Sequence, residues 1–376
     1  MIDTSLFGAE LKSLGFEFYS GVPCSYLKDL INYAINECEY VMAANEGEAV
    51  AISAGAVLGG KKAVVLMQNS GLTNATSPLS SLIHTFQIPI LGFVSHRGEP
   101  GIPDEPQHEL MGQVTSELLS LMRIRWEYLS TDFKIVKDQL VRANRAIENN
   151  ETFFFIVKKE TLSPVDLIEQ IKKTSDNKHI QMKIKEDQFP SRMDTLRIIN
   201  SCKNQHTIQL ATTGKTGREL YELEDAPHNL YMVGSMGCVS SLGLGLALTK
   251  SNKLIVAIDG DGALLMRLGS LATNGYYSPP NLLHILLDNH THDSTGGQNT
   301  VSQNVQFVDA AAACGYKHSL YAHNLEELEQ FICQWHQSPA LTFIYIKVAK
   351  GSKKELGRPK MKPFEVKDRL QVFIND

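Results

Sequence analysis

The run LIVAIDGDG (254–262), followed by LLHILLDN (282–289), decides how this chain is read. Each is a predominantly apolar segment rich in Ile, Leu and Val, the pattern of a strand buried on both faces of a parallel sheet. Each ends in polar residues, the first of them flanked by glycines. Asn289 follows Asp261 by 28 residues (289 − 261), the length of a strand–helix–strand unit. Both side chains therefore reach one rim of one sheet, the carboxyl edge where open parallel sheets bind ligands. One carboxylate and one amide oxygen form a sparse set of hard donors. Mg2+ uses such a set when phosphate oxygens complete its octahedron. Gly260 and Gly262 let backbone N–H groups approach a phosphate, and the next helix offers its positive N-terminus. By itself, a strand ending in DGDG also fits a phosphatase or a Ca2+ loop.

The same plan runs through the whole chain. Strands are predicted over 16–23, 40–46, 63–71, 89–98, 126–130 and 153–159, and again over 207–214, 230–237, 254–262, 282–289, 318–322 and 342–348. Helical stretches separate them, so the fold class is α/β, with two doubly wound parallel-sheet domains. The halves agree in spacing: Gly21 and Gly214 lie 193 apart, Asn69 and Asp261 192, His96 and His290 194. That points to a structural duplication. Residues 158–190 are rich in Lys, Asp and Glu with proline near each end, which fits a helix plus a solvated linker. The expected domains are 1–165 and 191–376, with a linker over 166–190 and no third domain between them. The tail is basic first and then shortly amphipathic, suited to packing on the second domain or on a partner chain.

Of 376 residues, 36 are Lys or Arg and 41 are Asp or Glu, a net charge of −5. A general nucleic-acid binder would carry a basic excess, so none is expected. No apolar run reaches the roughly 20 residues of a membrane helix. MIDTSLFGAELKSLG has no basic segment leading into an apolar one, so no secretory leader is expected. Cys24, Cys38, Cys202, Cys238, Cys314 and Cys333 are scattered without metal-binding spacing, as free thiols of a reducing compartment are. The expectation is a cytoplasmic enzyme.

The GDG…DN pair resembles the cofactor motif of the thiamine diphosphate-dependent enzymes. The resemblance implies that Asp261, Asn289 and the carbonyl of Thr291 bind Mg2+. Asp288 stands where many relatives have Asn, at a position that is not a ligand. VGSMGCVSSLGLGLAL (233–248) is similar to the segment that cradles the aminopyrimidine. There Gly234 would accept from the 4′-amino group and Met236 would wedge the cofactor into its bent form. ATTGKTGREL (211–220) resembles the diphosphate-contacting turn, implying Thr212, Thr213 and Gly214. Gly260, Gly262, Ala263 and Thr295 complete the implied cofactor contacts. AANEGEAVAISAGAVLGG (43–60) resembles the family's pyrimidine-binding helix, whose activating Glu stands nine residues before a glycine. Glu46 with Gly55 meets that spacing, so Glu46 is chosen over Glu48. A carboxylate there hydrogen-bonds N1′ of the pyrimidine and favours the tautomer that removes the C2 proton. The first domain is thus expected to bind pyrimidine and the second diphosphate. In the family the two meet across chains, which implies at least a homodimer with active sites at the subunit interface.

The two-domain plan narrows the substrate class. GVPCSYL (21–27), LMQNSGL (66–72), SHRGEPGIPDEPQHELMG (95–112) and LLDNHTHDSTGGQ (286–298) are similar to the family members that decarboxylate the 2-oxo acid phosphonopyruvate. The resemblance implies production of phosphonoacetaldehyde and CO2, in phosphonate (2-aminoethylphosphonate) biosynthesis. Sulfopyruvate is the alternative substrate, and a non-catalytic subunit of the same fold is the alternative of another class. A phosphonate dianion calls for cationic and amide donors at a loop rim. Ser25, Asn69, His96, Arg97, Gln107, His108 and Lys215 are the available ones.

Overall fold

The structure, a computed structural model, describes residues 1–168, 178–179, 189–294, 297–353 and 355–375. The chain divides into two compact units, Met1–Ile171 and Lys172–Asp376. The first runs α1 (Thr4–Ser13), β1 (Phe16–Gly21), α2 (Lys28–Glu37), β2 (Glu39–Met42), α3 (Glu46–Leu58), β3 (Lys62–Met67), α4 (Leu72–Pro78), β4 (Leu91–Ser95), α5 (Glu109–Leu121), β5 (Arg125–Tyr128), α6 (Phe133–Glu148) and β6 (Phe153–Val157). The second opens with β7 (Lys178–His179), α7 (Arg192–Ser201), β8 (Thr207–Ala211), α8 (Lys215–Leu223), β9 (Asn229–Tyr231), α9 (Val239–Thr249), β10 (Leu254–Gly260), α10 (Asp261–Met266) and α11 (Ser270–Tyr277). It closes with β11 (Leu282–Asp288), β12 (Thr291–His292), β13 (Gln298–Asn299), α12 (Phe307–Ala313), β14 (His318–Ala322), α13 (Leu325–Gln337), β15 (Thr342–Lys347) and α14 (Pro363–Asn375).

Both main sheets are parallel throughout. The first has the order β2-β1-β3-β4-β6-β5 and the second β7-β14-β15-β11-β10-β8-β9. Counting the six principal strands of each unit in chain order, both sheets read 2-1-3-4-6-5, so the repeat seen in spacing is also a repeat in topology. The winding reverses between strands 1 and 3. The ligand crevice of such a sheet lies beyond the carboxyl ends there, after β1 and β3 in one unit and after β8 and β10 in the other.

All twelve expected strands are present. The pair β7 and the antiparallel hairpin β12–β13 are additions. β7 falls inside the stretch read as linker, yet it extends the second sheet beside β14. The helix expected over 158–190 is not among the described residues, since 158–168 are turn, bridge and coil and most of the remainder lies outside them.

Burial explains why these segments fold as they do. Every residue of β6 and of β11 is buried, as befits strands covered on both faces. The matching helices α3 and α9 are buried on nearly every side and carry no polar stripe. Their small residues let them lie close to the sheet: a Cβ added at Gly243 would sit 3.1 Å from Leu282 Cδ1. In α6 only one face, with Val136, Leu140, Ala143 and Ile147, is covered. The amphipathic tail segment is α14, and it packs on β9 of its own unit with Val366, Leu370 and Ile374 buried. Among the described residues no helix is long and apolar enough to cross a membrane.

Phe155 is fully buried and stacks on Phe93 with ring centres 5.3 Å apart. Phe155→Ala should cost about 3–5 kcal/mol of stability, measured by urea unfolding. A loss below about 1 kcal/mol would mean that the sheet interior closes around the void.

Candidate active site

In the second unit β10 delivers Asp261 as the first residue of α10, where it is buried. Its Oδ2 accepts a short hydrogen bond from the Thr300 hydroxyl. β11 delivers Asp288 and Asn289, and the chain then turns through His290 at φ 56°, a left-handed conformation that non-glycine residues rarely hold. Donor atoms of Asp261, Asp288 and His290 lie within 4.8 Å of one another. Asp288 is already spent: Oδ1 accepts from the His290 N–H (2.9 Å) and the Ser302 hydroxyl (3.2 Å), and Oδ2 from Tyr345 (2.9 Å). His290 Nδ1 is engaged with Ser302 Oγ at 2.6 Å. Asp261, Asn289 and Thr291 instead line one cleft, together with Thr212, Thr213 and Gly214. Burial pushes the Asp261 carboxyl up, hydrogen bonds from Thr300 and Ser302 pull it back, and the Asp288 charge raises it further. A bound dication reverses that tendency.

The opposite wall of the cleft is the turn after β8. Gly214 has φ +98°, open to glycine, and starts α8 at Lys215. Thr213 Oγ1 accepts from the Gly234 N–H at 3.1 Å, tying the turn to the 234–236 segment. The Thr212 hydroxyl is buried without a hydrogen-bond partner in the protein. Leaving such a group unsatisfied costs about 1–3 kcal/mol unless a ligand pairs with it. A Cβ at Gly262 would fall 2.6 Å from the His292 ring. Gly260, Ala263, Met236 and Lys215 line the same cleft, and Lys215 has no ion pair among the described residues. Thr295 lies outside those residues. Oxygen donors, an unpartnered hydroxyl, a glycine floor and an ammonium together fit a Mg2+-diphosphate group.

In the first unit α3 begins at Glu46, capped by Asn45, whose Oδ1 accepts from the Glu48 N–H at 3.0 Å. Glu48 is fully buried, and its Oε2 accepts from the Ala44 N–H at 2.6 Å. It closes its own helix start. Glu46 is half-buried, and its Oε2 accepts from Asn74 Nδ2 at 2.9 Å. A Cβ at Gly71 would lie 2.2 Å from Glu46 Oε1, so the glycine is what admits the carboxylate there.

The loops after β1, β3 and β4 bring the remaining first-unit candidates together. Arg97 is paired within the protein. Its Nε donates to Asp104 Oδ2 at 2.7 Å, Nη2 to Oδ1, and Nη1 to Ser25 Oγ at 2.9 Å. The guanidinium also lies 5.0 Å from the centre of the Tyr26 ring. Asp104 additionally accepts from the Gly98 and Glu105 N–H groups. Arg97 above all holds the Asp104 carboxyl far below its ordinary range, and the two N–H groups add to this. Asn69, expected at a rim, is wholly buried and braces the loop, donating to Arg97 O (2.7 Å) and Thr115 Oγ1 (3.1 Å). His96 is buried with Nε2 at 2.8 Å from Gly112 O. His108 is buried and Gln107 exposed. Three buried atoms in this cluster have no protein hydrogen-bond partner: Asn69 Oδ1, His96 Nδ1 and His108 Nδ1.

Asp104, Arg192, Glu219, Asp293, Thr300 and Ser302 were not anticipated. Their only trace in the sequence is the density of polar residues in the loops after the strands.

Residues 4–117 match the N-terminal TPP binding domain of the thiamine pyrophosphate enzymes, and residues 212–346 match the C-terminal TPP binding domain. The chain belongs to the thiamine pyrophosphate (thiamine diphosphate) enzyme family, with that cofactor. It is 37% identical to the phosphonopyruvate decarboxylase of Streptomyces viridochromogenes over 100% of this chain and 95% of that protein. The phosphonopyruvate decarboxylase of Streptomyces hygroscopicus is 38% identical with the same coverage. The sulfopyruvate decarboxylase of Methanosarcina acetivorans is 28% identical over 97% of this chain and 96% of that one. The crystal structure of benzoylformate decarboxylase from Polynucleobacter necessarius shares the fold, with TM-score 0.72, 12% identity, and coverage of 94% of this chain and 100% of that one.

A carboxyl whose folded pKa is depressed contributes stability above its unfolded pKa and loses it as pH falls. Asp104→Asn should therefore destabilise at pH 7, and its deficit against wild type should shrink below about pH 4. Urea midpoints of both proteins at pH 7 and pH 3 decide this; an equal deficit at both values would make the contact one of packing.

Proposed function

We propose that this chain is a Mg2+- and thiamine diphosphate-dependent decarboxylase of phosphonopyruvate, releasing CO2 and phosphonoacetaldehyde, in a cytoplasmic step of phosphonate biosynthesis. The observation that carries this is identity of 37–38% to two phosphonopyruvate decarboxylases over the entire chain, against 28% to a sulfopyruvate decarboxylase. In this reading Asp261, Asn289 and the Thr291 carbonyl hold Mg2+. Thr212, Thr213, Gly214, Gly260, Gly262 and Ala263 take the diphosphate end, and Gly234 and Met236 the pyrimidine end. The bound cofactor supplies an electron sink for the charge released with CO2.

Glu46 serves as the acid–base carboxylate, holding a proton between its Oε and the pyrimidine. Such groups contribute about 10²–10⁴-fold. Glu48 is fully buried with its Oε2 accepting from the Ala44 N–H at its own helix start, which supports Glu46 for that role. Ser25, Asn69, His96, Arg97, His108 and Lys215 form the substrate set. Because Asp104 compensates its charge, Arg97 contributes directed N–H groups rather than net charge. Asn69 Oδ1 and His108 Nδ1, buried without a hydrogen-bond partner in the protein, support a polar ligand.

The substrate test is CO2 release from phosphonopyruvate, sulfopyruvate and pyruvate, with Mg2+ and cofactor present. Phosphonopyruvate should show the highest kcat/KM, and a preference for sulfopyruvate would overturn the assignment.

We further propose a homo-oligomer in which Glu46 of one copy serves the diphosphate unit of another. Mixing inactive Glu46→Gln with inactive Asp261→Ala should then restore up to about a quarter of wild-type activity, since half of the reassorted dimers carry one intact site of two. No recovery after subunit exchange would place both groups in one chain's site.

A further inference from the structure

Asn289 can present either end of its carboxamide to a ligand, and the choice of end decides whether it can bind a cation. Asp293 makes that choice. Its Oδ2 accepts from Asn289 Nδ2 at 2.7 Å, so the flipped amide would set oxygen against carboxylate. Asn289 Oδ1 accepts from the Thr291 N–H at 3.0 Å and keeps a second lone pair. Asp293 Oδ1 also accepts from the Thr291 hydroxyl at 3.0 Å. One carboxylate thus anchors both residues of the loop that are read as metal ligands.

Asp293 is itself held from behind. Arg192 Nη1 donates to it at 3.0 Å and the Gly351 N–H at 3.2 Å. The other edge of Arg192 pairs with Glu219, Nε at 3.0 Å and Nη2 at 3.1 Å, and Nη2 also reaches Gly351 O at 3.2 Å. Arg192 and Glu219 are 6% and 1% exposed. Glu219 lies on α8, the helix that begins directly after the Thr212–Gly214 turn. Buried ion clusters are weak contributors to stability, because desolvation offsets their attraction. This one has a clear geometric consequence: it joins the helix of the diphosphate turn to the metal-binding loop through a single guanidinium.

We propose that Asp293, held by the Arg192–Glu219 pair, is a positioning residue that turns the Asn289 carboxamide oxygen toward the metal. This rests on the reading of Asn289 as a Mg2+ ligand. Mg2+ demands near-ideal octahedral geometry whereas Ca2+ tolerates irregular cages, so a loosened carboxamide penalises Mg2+ more. The experiment titrates Mg2+ and Ca2+ separately into the full chain saturated with thiamine diphosphate, followed by calorimetry. Asp293→Asn should weaken Mg2+ about 10–100-fold, the usual effect of removing a ligand's outer partner, and lower the Mg2+/Ca2+ affinity ratio. Arg192→Lys, which keeps the charge but cannot bond both carboxylates, should shift the ratio in the same direction by less. Should Asp293→Asn fail to fold, Arg192→Lys and Glu219→Gln carry the test, and unchanged ratios in both overturn the proposal. Unchanged Mg2+ binding in folded Asp293→Asn, or equal losses for the two ions, overturns it while leaving the metal reading intact. If wild type itself binds no Mg2+ with cofactor, the metal reading falls and the proposal with it.

Discussion

The register of β10 between β8 and β11 is the constraint on which the second unit depends. Ile258 pairs with Ala211 on one side, and Gly260 with Leu287 on the other. With those pairs set, the next residues out of the sheet are Thr212, Asp261 and the Asp288–Asn289 step, all at one rim. A slip of one residue would turn every side chain to the opposite face.

The same constraint acts twice. Both sheets share one strand order, and in both a helix of small residues after the second strand is buried almost completely. Such a helix can lie deep only if its terminal polar groups are satisfied locally. Asn45 and Glu48 do this at the start of α3, which leaves Glu46, two residues before Glu48, to meet Asn74 and the bare backbone at Gly71. The duplication therefore preserves scaffold while the residues at the rim diverge: Asn69 follows β3 where Asp261 follows β10, and only the second is a carboxylate suited to a cation.

Charged side chains behave less predictably than the scaffold. Arg97 stands beside candidate substrate groups in the sequence, but Asp104, seven residues on, folds back and takes two of its nitrogens. Asn69 points inward to hold the backbone of that loop. Arg192 spans a carboxylate on α8 and another in the loop after β11, 27 and 101 residues away. In each case a polar group that looks available is engaged by a partner that only the loop's path brings near.

Apolar continuity, glycine placement and strand spacing were enough to establish from sequence the α/β class, twelve strands, the repeat and the rim residues Asp261 and Asn289, because these rest on local periodicity and on short-range connections. The resemblance of motifs added the cofactor and the preference for Glu46. Tertiary structure decided the rest. It tied Glu48 to the Ala44 N–H and Glu46 to Asn74, retired Asp288 into a hydrogen-bonded network, and paired the Arg97 cation with Asp104. It also disclosed β7, the β12–β13 hairpin and the Arg192–Glu219–Asp293 cluster. These outcomes depend on which distant groups share a buried space, and the energy of a buried polar atom is set by its partners rather than by its neighbours in sequence.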